Sequence, residues 1–156
     1  DPVAMDHVAV RPPEGWSIEV VRPTLGWPFS TAARELELLA REPGADRVRT
    51  LRVRTFPGWT YGDRFASLFQ LIDLPGAVEF VDAVPIPFAG AGRGYLLQAE
   101  QPITGQRVGR QYLIAMGTAD QQTAVSVVLE VPHRLTDDDF QLISRVALSL
   151  RPVSDR

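Results

Sequence analysis

Three strand-like segments near the C-terminal end follow one another with almost nothing between them: Tyr95–Gln101, Arg107–Met116 and Gln122–Val131. The connections, at Thr104-Gly105 and Gly117–Asp120, are too short to carry a crossover helix, and a parallel pairing needs one. The segments therefore predict an antiparallel meander closed by tight turns. In the third, Ala124, Val125, Val127, Val128 and Leu129 leave almost no polar face. That composition predicts a central strand covered on both sides.

The helix expected after the meander has a well-marked start. Thr136 stands as N-cap, and Asp137, Asp138 and Asp139 fill the first turn, where the helix dipole favours anions. Leu135 and Phe140 are placed for a hydrophobic staple. Phe140, Ile143, Val146, Ala147 and Leu150 form the apolar stripe, and Pro152 ends the element.

Towards the N-terminus, Val8-Ala9-Val10 reads as a short strand, closed by a turn through Arg11-Pro12-Pro13-Glu14-Gly15. Trp16–Val20 alternates apolar and polar residues, as a half-buried strand does. Pro23 to Pro28 reads as a loop. Ser30 is placed to cap a helix over Thr31–Glu42, with Leu36, Leu39 and Ala40 on one face and Pro43-Gly44 as its stop. Val48–Phe56 is a strand ended by Pro57-Gly58. Thr60 and Asp63 then resemble a capping box for a helix carrying Phe65, Leu68, Phe69 and Ile72, which Pro75-Gly76 closes. Val78–Val84 alternates as a strand, after which Pro85 and Pro87 are expected to bend the chain into Phe88-Ala89-Gly90. With 156 residues, 45% hydrophobic and 22% charged, the chain is a single domain over 1–156 with enough apolar material for a core. The fold class expected is α+β, an antiparallel β-sheet flanked by helices.

Missing residue types exclude whole chemistries. With no Cys there is no disulfide, iron–sulfur cluster, thiolate zinc site or cysteine nucleophile. No Lys or Asn occurs, so all sixteen basic residues are Arg, and Schiff-base chemistry, a P-loop lysine and N-glycosylation go with them. Both missing residues have A-rich codons, which points to a high-GC genome such as an actinobacterial one. A net charge of −3 gives no general attraction to nucleic acid. No apolar run reaches the roughly 18–20 residues of a membrane span. The chain opens at Asp1 and shows no leader, so any signal peptide or lipid anchor is expected upstream.

Candidate sites are few. His7 and His133 are the two histidines, and a hydrolase would need one beside a serine in space, although no G-x-S-x-G elbow is present. Adjacent carboxylates on a helix diverge by about 100°, so Asp137-Asp138-Asp139 reads as capping rather than a metal site. Gly90-Ala91-Gly92-Arg93-Gly94 leads into a strand instead of a helix, which suits a bend better than a phosphate cradle. Arg47, Arg49, Arg52 and Arg54 form a basic cluster. At strand period the first two share one face and the last two the other, leaving acid pairing, a solvated edge or a phosphate-headgroup contact open. Trp27, Phe29 and Trp59 fall in loop or junction regions, as satellite core or as a surface for a protein partner or lipid. No catalytic, cofactor-binding or metal-binding residues are assigned, and no cofactor is expected.

The order of short motifs has a familiar form. Pro13-Glu14-Gly15-Trp16 opens it, followed by a strand, the helix near Phe65–Ile72 and Leu74-Pro75-Gly76. Then come Val84 to Gly90, a strand with Tyr95, Gly105-Gln106-Arg107, a long hairpin and a last helix ending near Ser149-Leu150. From Pro12 to Pro152 this resembles the LpqN-type lipoproteins of actinobacteria and, more loosely, the Mog1p/PsbP-like superfamily. The resemblance implies an α/β/α sandwich and a secreted, extracytoplasmic protein of the cell envelope. It supplies no catalytic residues. The anchoring Cys of such lipoproteins is absent, and the segment 24–42 departs from the pattern. The first expectation is a non-catalytic accessory protein that binds a protein partner or membrane assembly. The second is a carrier or sensor of an apolar ligand such as a lipid or glycolipid, and the third a hydrolase using His133 or His7.

Overall fold

The computed structural model describes residues 1–5, 8–21, 36–44, 47–57, 79–89, 92–101, 110–119 and 123–153. Ten strands and one helix lie in these segments. In chain order they are β1 (Val3–Ala4), β2 (Val8–Val10), β3 (Ser17–Val21), β4 (Glu37–Arg41) and β5 (Thr50–Pro57), then β6 (Glu79–Phe88), β7 (Gly92–Gln101), β8 (Arg110–Thr118), β9 (Thr123–Val131), α1 (Asp137–Ser149) and β10 (Arg151–Pro152). The result is a mainly antiparallel β-protein with a helix packed on it. A small sheet has the order β1-β2-β10, and a seven-stranded sheet has the order β3-β4-β5-β9-β8-β7-β6.

The meander β7-β8-β9 forms as the short connections require, antiparallel throughout. β9 is the fourth strand of the seven and is buried on both faces, as its apolar run predicts. On one face Leu38, Leu51, Val53, Leu113, Ala115, Val127 and Leu129 meet Leu142, Ile143, Val146 and Ala147 of α1. Val8 and Val10 of the small sheet join the same cluster. On the other face Leu97, Ala99, Tyr112, Ile114, Met116 and Val128 are buried as well.

The helix expected over 31–42 is corrected where it is described. Glu37–Arg41 is strand β4, paired with β3 on one side and β5 on the other. Leu38 and Ala40 face α1 and the shared core, while Leu39 lies on the opposite face. Good helix formers are thus drawn into a strand, because two ladders and two inward side chains outweigh propensities of a few tenths of a kcal/mol. Residues 31–35, the expected capping box at Thr60/Asp63 and the helix expected at 65–72 lie outside the described residues; among the described residues one helix, α1, flanks the sheet.

Pro85 and Pro87 do not bend the chain either, since β6 continues through them to Phe88. Alternate residues of an antiparallel strand address opposite neighbours. β6 is a sheet edge, so its prolines lack donors only on the side away from β7. The reversal comes after Phe88, at Ala89 with φ 50°, whose N–H donates to the Ala147 carbonyl of α1 at 3.0 Å. Gly94 of the Gly-rich segment sits in β7. A Cβ there would lie 2.5 Å from the Met116 carbonyl oxygen and 2.9 Å from Phe88, so this glycine is set by close packing. The turn before β3 passes through Gly15 at φ 82°.

Candidate functional site

The arginine cluster does not form one stripe. Arg47 and Arg49 precede β5, so strand period does not govern them. Arg52 and Arg54 lie together on the sheet face opposite α1, and both reach Glu37 of β4. Arg52 Nε is 2.6 Å from Glu37 Oε1, and Arg54 Nε is 3.8 Å from Oε2. Glu37 stands directly across from Arg54 in register, a cross-strand pair of opposite charge.

Arg49 leaves the sheet and reaches the start of α1. It donates to Glu42 through Nε (2.8 Å) and Nη2, and through Nη1 to Asp138 (2.9 Å) and Asp139 (2.8 Å). The guanidinium also lies 5.4 Å from the Trp16 ring centroid. Burial works against its charge, but the hydrogen bonds that it donates to Glu42, Asp139 and Asp138 outweigh that and hold the pKa above its ordinary value. Asp139 is fully buried and also accepts the Thr136 N–H at 2.9 Å and the Thr136 hydroxyl at 3.1 Å. The capping role expected of the aspartates is therefore present, with an addition sequence reasoning missed: two of the three also fasten α1 to the β4–β5 connection.

A groove of about 690 Å³ opens on the sheet beside β3. Leu39 and Val128 give it an apolar floor, and Glu19, Arg41, Arg52, Tyr112 and Glu130 line it with polar groups. Glu130 accepts from Thr50 Oγ1 at 3.3 Å and pairs with Arg110 at 2.9 Å. The Tyr112 hydroxyl donates to Gln101 Oε1 at 3.2 Å. Burial, and after it the Glu130 carboxylate, raises the Tyr112 pKa. Next to the groove runs β3, an edge strand of the large sheet among the described residues. β3 is exposed along Ser17–Val20, and Ile18 and Val20 are each 38% exposed on the face that α1 occupies further along the sheet. No proline interrupts β3.

His133 lies in an exposed turn, with Nδ1 2.9 Å from the Arg134 carbonyl oxygen. The Ser17 hydroxyl, at the groove, donates to the Arg41 carbonyl at 3.4 Å. His7, Trp27, Phe29 and Trp59 lie outside the described residues. Among the described residues no cluster of His, Asp or Glu is arranged to hold a metal, and no helix is long and apolar enough to cross a membrane. The groove residues escaped sequence reasoning because Arg41, Thr50, Tyr112 and Glu130 come from four strands, and only the pairing of β4, β5, β9 and β8 brings them together.

No protein-family model and no curated protein matches the chain. Among solved structures it is similar to a crystal structure from Bacteroides thetaiotaomicron VPI-5482, with 12% identity and a TM-score of 0.54. The match covers 95% of this chain and 46% of that one, so the chain spans just under half the length of its structural neighbour. The likeness is one of fold.

Proposed function

We propose that the chain is a non-catalytic binding domain that takes an extended segment of a protein partner along β3, with partner side chains entering the adjacent groove. The observation that carries this reading is the contrast between the two sheet edges. Prolines block hydrogen bonding at β6, whereas β3 offers an uninterrupted backbone and the exposed side chains Ile18 and Val20. Strand addition draws affinity from backbone hydrogen bonds and specificity from neighbouring pockets. The resemblance to LpqN-type lipoproteins supports a place in the cell envelope, a role beside a membrane assembly and a Mog1p/PsbP-like sandwich.

The test is photo-crosslinking in cells, with the reactive amino acid at Ile18 or Val20 and, as a control, at Val84 of the opposite edge. A discrete protein adduct from the β3 positions and none from Val84 supports the reading. No adduct at β3, or equal adducts at both edges, overturns it.

The volume of the groove favours a second reading, a carrier or sensor of an apolar ligand, since small-molecule sites span about 300–1,000 Å³. Native mass spectrometry of protein from its own host decides between them. A lipid or glycolipid at fixed stoichiometry supports the carrier.

A further inference from the structure

In and beside the large sheet, Arg49, Arg52, Arg54 and Arg110 each contact a carboxylate. A different set gathers on the outer face of the small sheet. Arg151 of β10 lies opposite Ala9 of β2 in register. Arg11, two residues beyond Ala9, is therefore its diagonal neighbour on the same face, within reach of a long side chain. The Arg11 N–H donates to the Ser149 hydroxyl at 2.9 Å, which ties this strand to the last turn of α1. Arg145 stands four residues before Ser149 and so on the same flank of the helix.

The three guanidinium-bearing residues line one depression of about 620 Å³, together with Pro2, Ala9 and Leu148. All three are exposed, and none contacts a carboxylate among the described residues. Arg151 donates through Nη1 to the carbonyls of Leu148 and Leu150, each at 2.8 Å. That bond covers the negative end of α1, the feature that would otherwise oppose an anion here. Three positive charges at one depression repel one another, and a bound anion reverses the sign of that interaction.

The geometry points to a phosphate-binding site in this depression, formed by Arg11, Arg145 and Arg151. Arginine forks match phosphate oxygens, and charge-assisted hydrogen bonds of this kind exceed neutral ones. The phosphate comes from a soluble monoester or inorganic phosphate, or from an anionic lipid headgroup. Leu148 and Val153, exposed nearby in sequence, provide apolar contacts for the latter.

The experiment titrates the full chain with inorganic phosphate and follows backbone amide shifts by NMR. Co-sedimentation follows, with phosphatidylcholine vesicles that contain or lack phosphatidylglycerol. The site predicts saturable shifts confined to residues 9–11 and 145–151, with affinity weakened about tenfold or more in R11Q/R145Q. The charge-matched variant R47Q/R134Q keeps the parent affinity and controls for net charge. Sedimentation only with phosphatidylglycerol, lost in R11Q/R145Q and competed by phosphate, assigns the headgroup as source. Phosphate binding without vesicle binding assigns a soluble phosphate. Shifts that do not saturate, that spread over the surface, or that respond equally to both double variants overturn the proposal.

Discussion

Replacing Arg49 by Met tests how α1 is held to the sheet. Methionine keeps an unbranched side chain packed near Trp16 and removes every hydrogen bond from the guanidinium. The side chain of Asp138 is 66% exposed and that of Glu42 27%, so water takes over much of what they lose, and surface pairs of this kind contribute about 0–1 kcal/mol. Asp139 decides the outcome because it is fully buried. Breaking a buried pair from one side typically costs about 3–5 kcal/mol, since a charge stays behind without its partner. Asp139 retains its bonds from the Thr136 N–H and hydroxyl, which places the loss near the lower end, at about 3 kcal/mol. For a chain of this size the melting temperature should fall by about 6–12 °C. Urea unfolding followed by circular dichroism gives the free energy directly. Asp139→Asn keeps an acceptor for the Thr136 N–H without the charge, so the double variant R49M/D139N should lose less than the sum of the singles, with a coupling of about 1–3 kcal/mol. A loss below about 1 kcal/mol for R49M, or strict additivity, would refute the claim that this ion pair fastens the helix.

Further outcomes follow from the same structure. Gly94→Ala should destabilise by about 2–4 kcal/mol, because its Cβ has nowhere to go against the Met116 carbonyl and the base of Phe88; a urea midpoint within error of the parent contradicts the packing. The folded state holds the Tyr112 proton above the ordinary value of 10.0, so the stability it contributes is full below about pH 10 and is lost as pH rises through the folded-state pKa. With no Lys or Cys in the chain, absorbance at 295 nm and urea midpoints above pH 9 isolate the tyrosines, and Tyr112→Phe should flatten the alkaline decline. An equally steep decline in that variant assigns it elsewhere. Replacing both Pro85 and Pro87 by Thr restores the donors of the β6 edge and should make sedimentation depend on concentration; a monomer as stable to concentration as the parent removes the protective role given to those prolines.

The sequence by itself determined the elements whose signals are local. Short connections allowed only antiparallel pairing for β7, β8 and β9, the apolar run of 124–129 required a strand buried on both faces, and Thr136 with its aspartates marked the start of α1. Caps and turn lengths act within a few residues, so they survive any tertiary context. The tertiary structure alone decided where a segment had two local solutions. Glu37–Arg41 carries good helix formers and became a strand because β3 and β5 stand on either side of it. Pro85 and Pro87 remained in a strand because β6, among the described residues, has a neighbour on one side only. Long-range pairing also chose the partners of the charges. Arg49 lies 90 residues from Asp139 in the chain, and Arg11 meets Arg145 and Arg151 only because β2 carries β10 at its edge. Charge alone is not directional along a sequence. Its meaning is fixed when the sheet order brings one element against another.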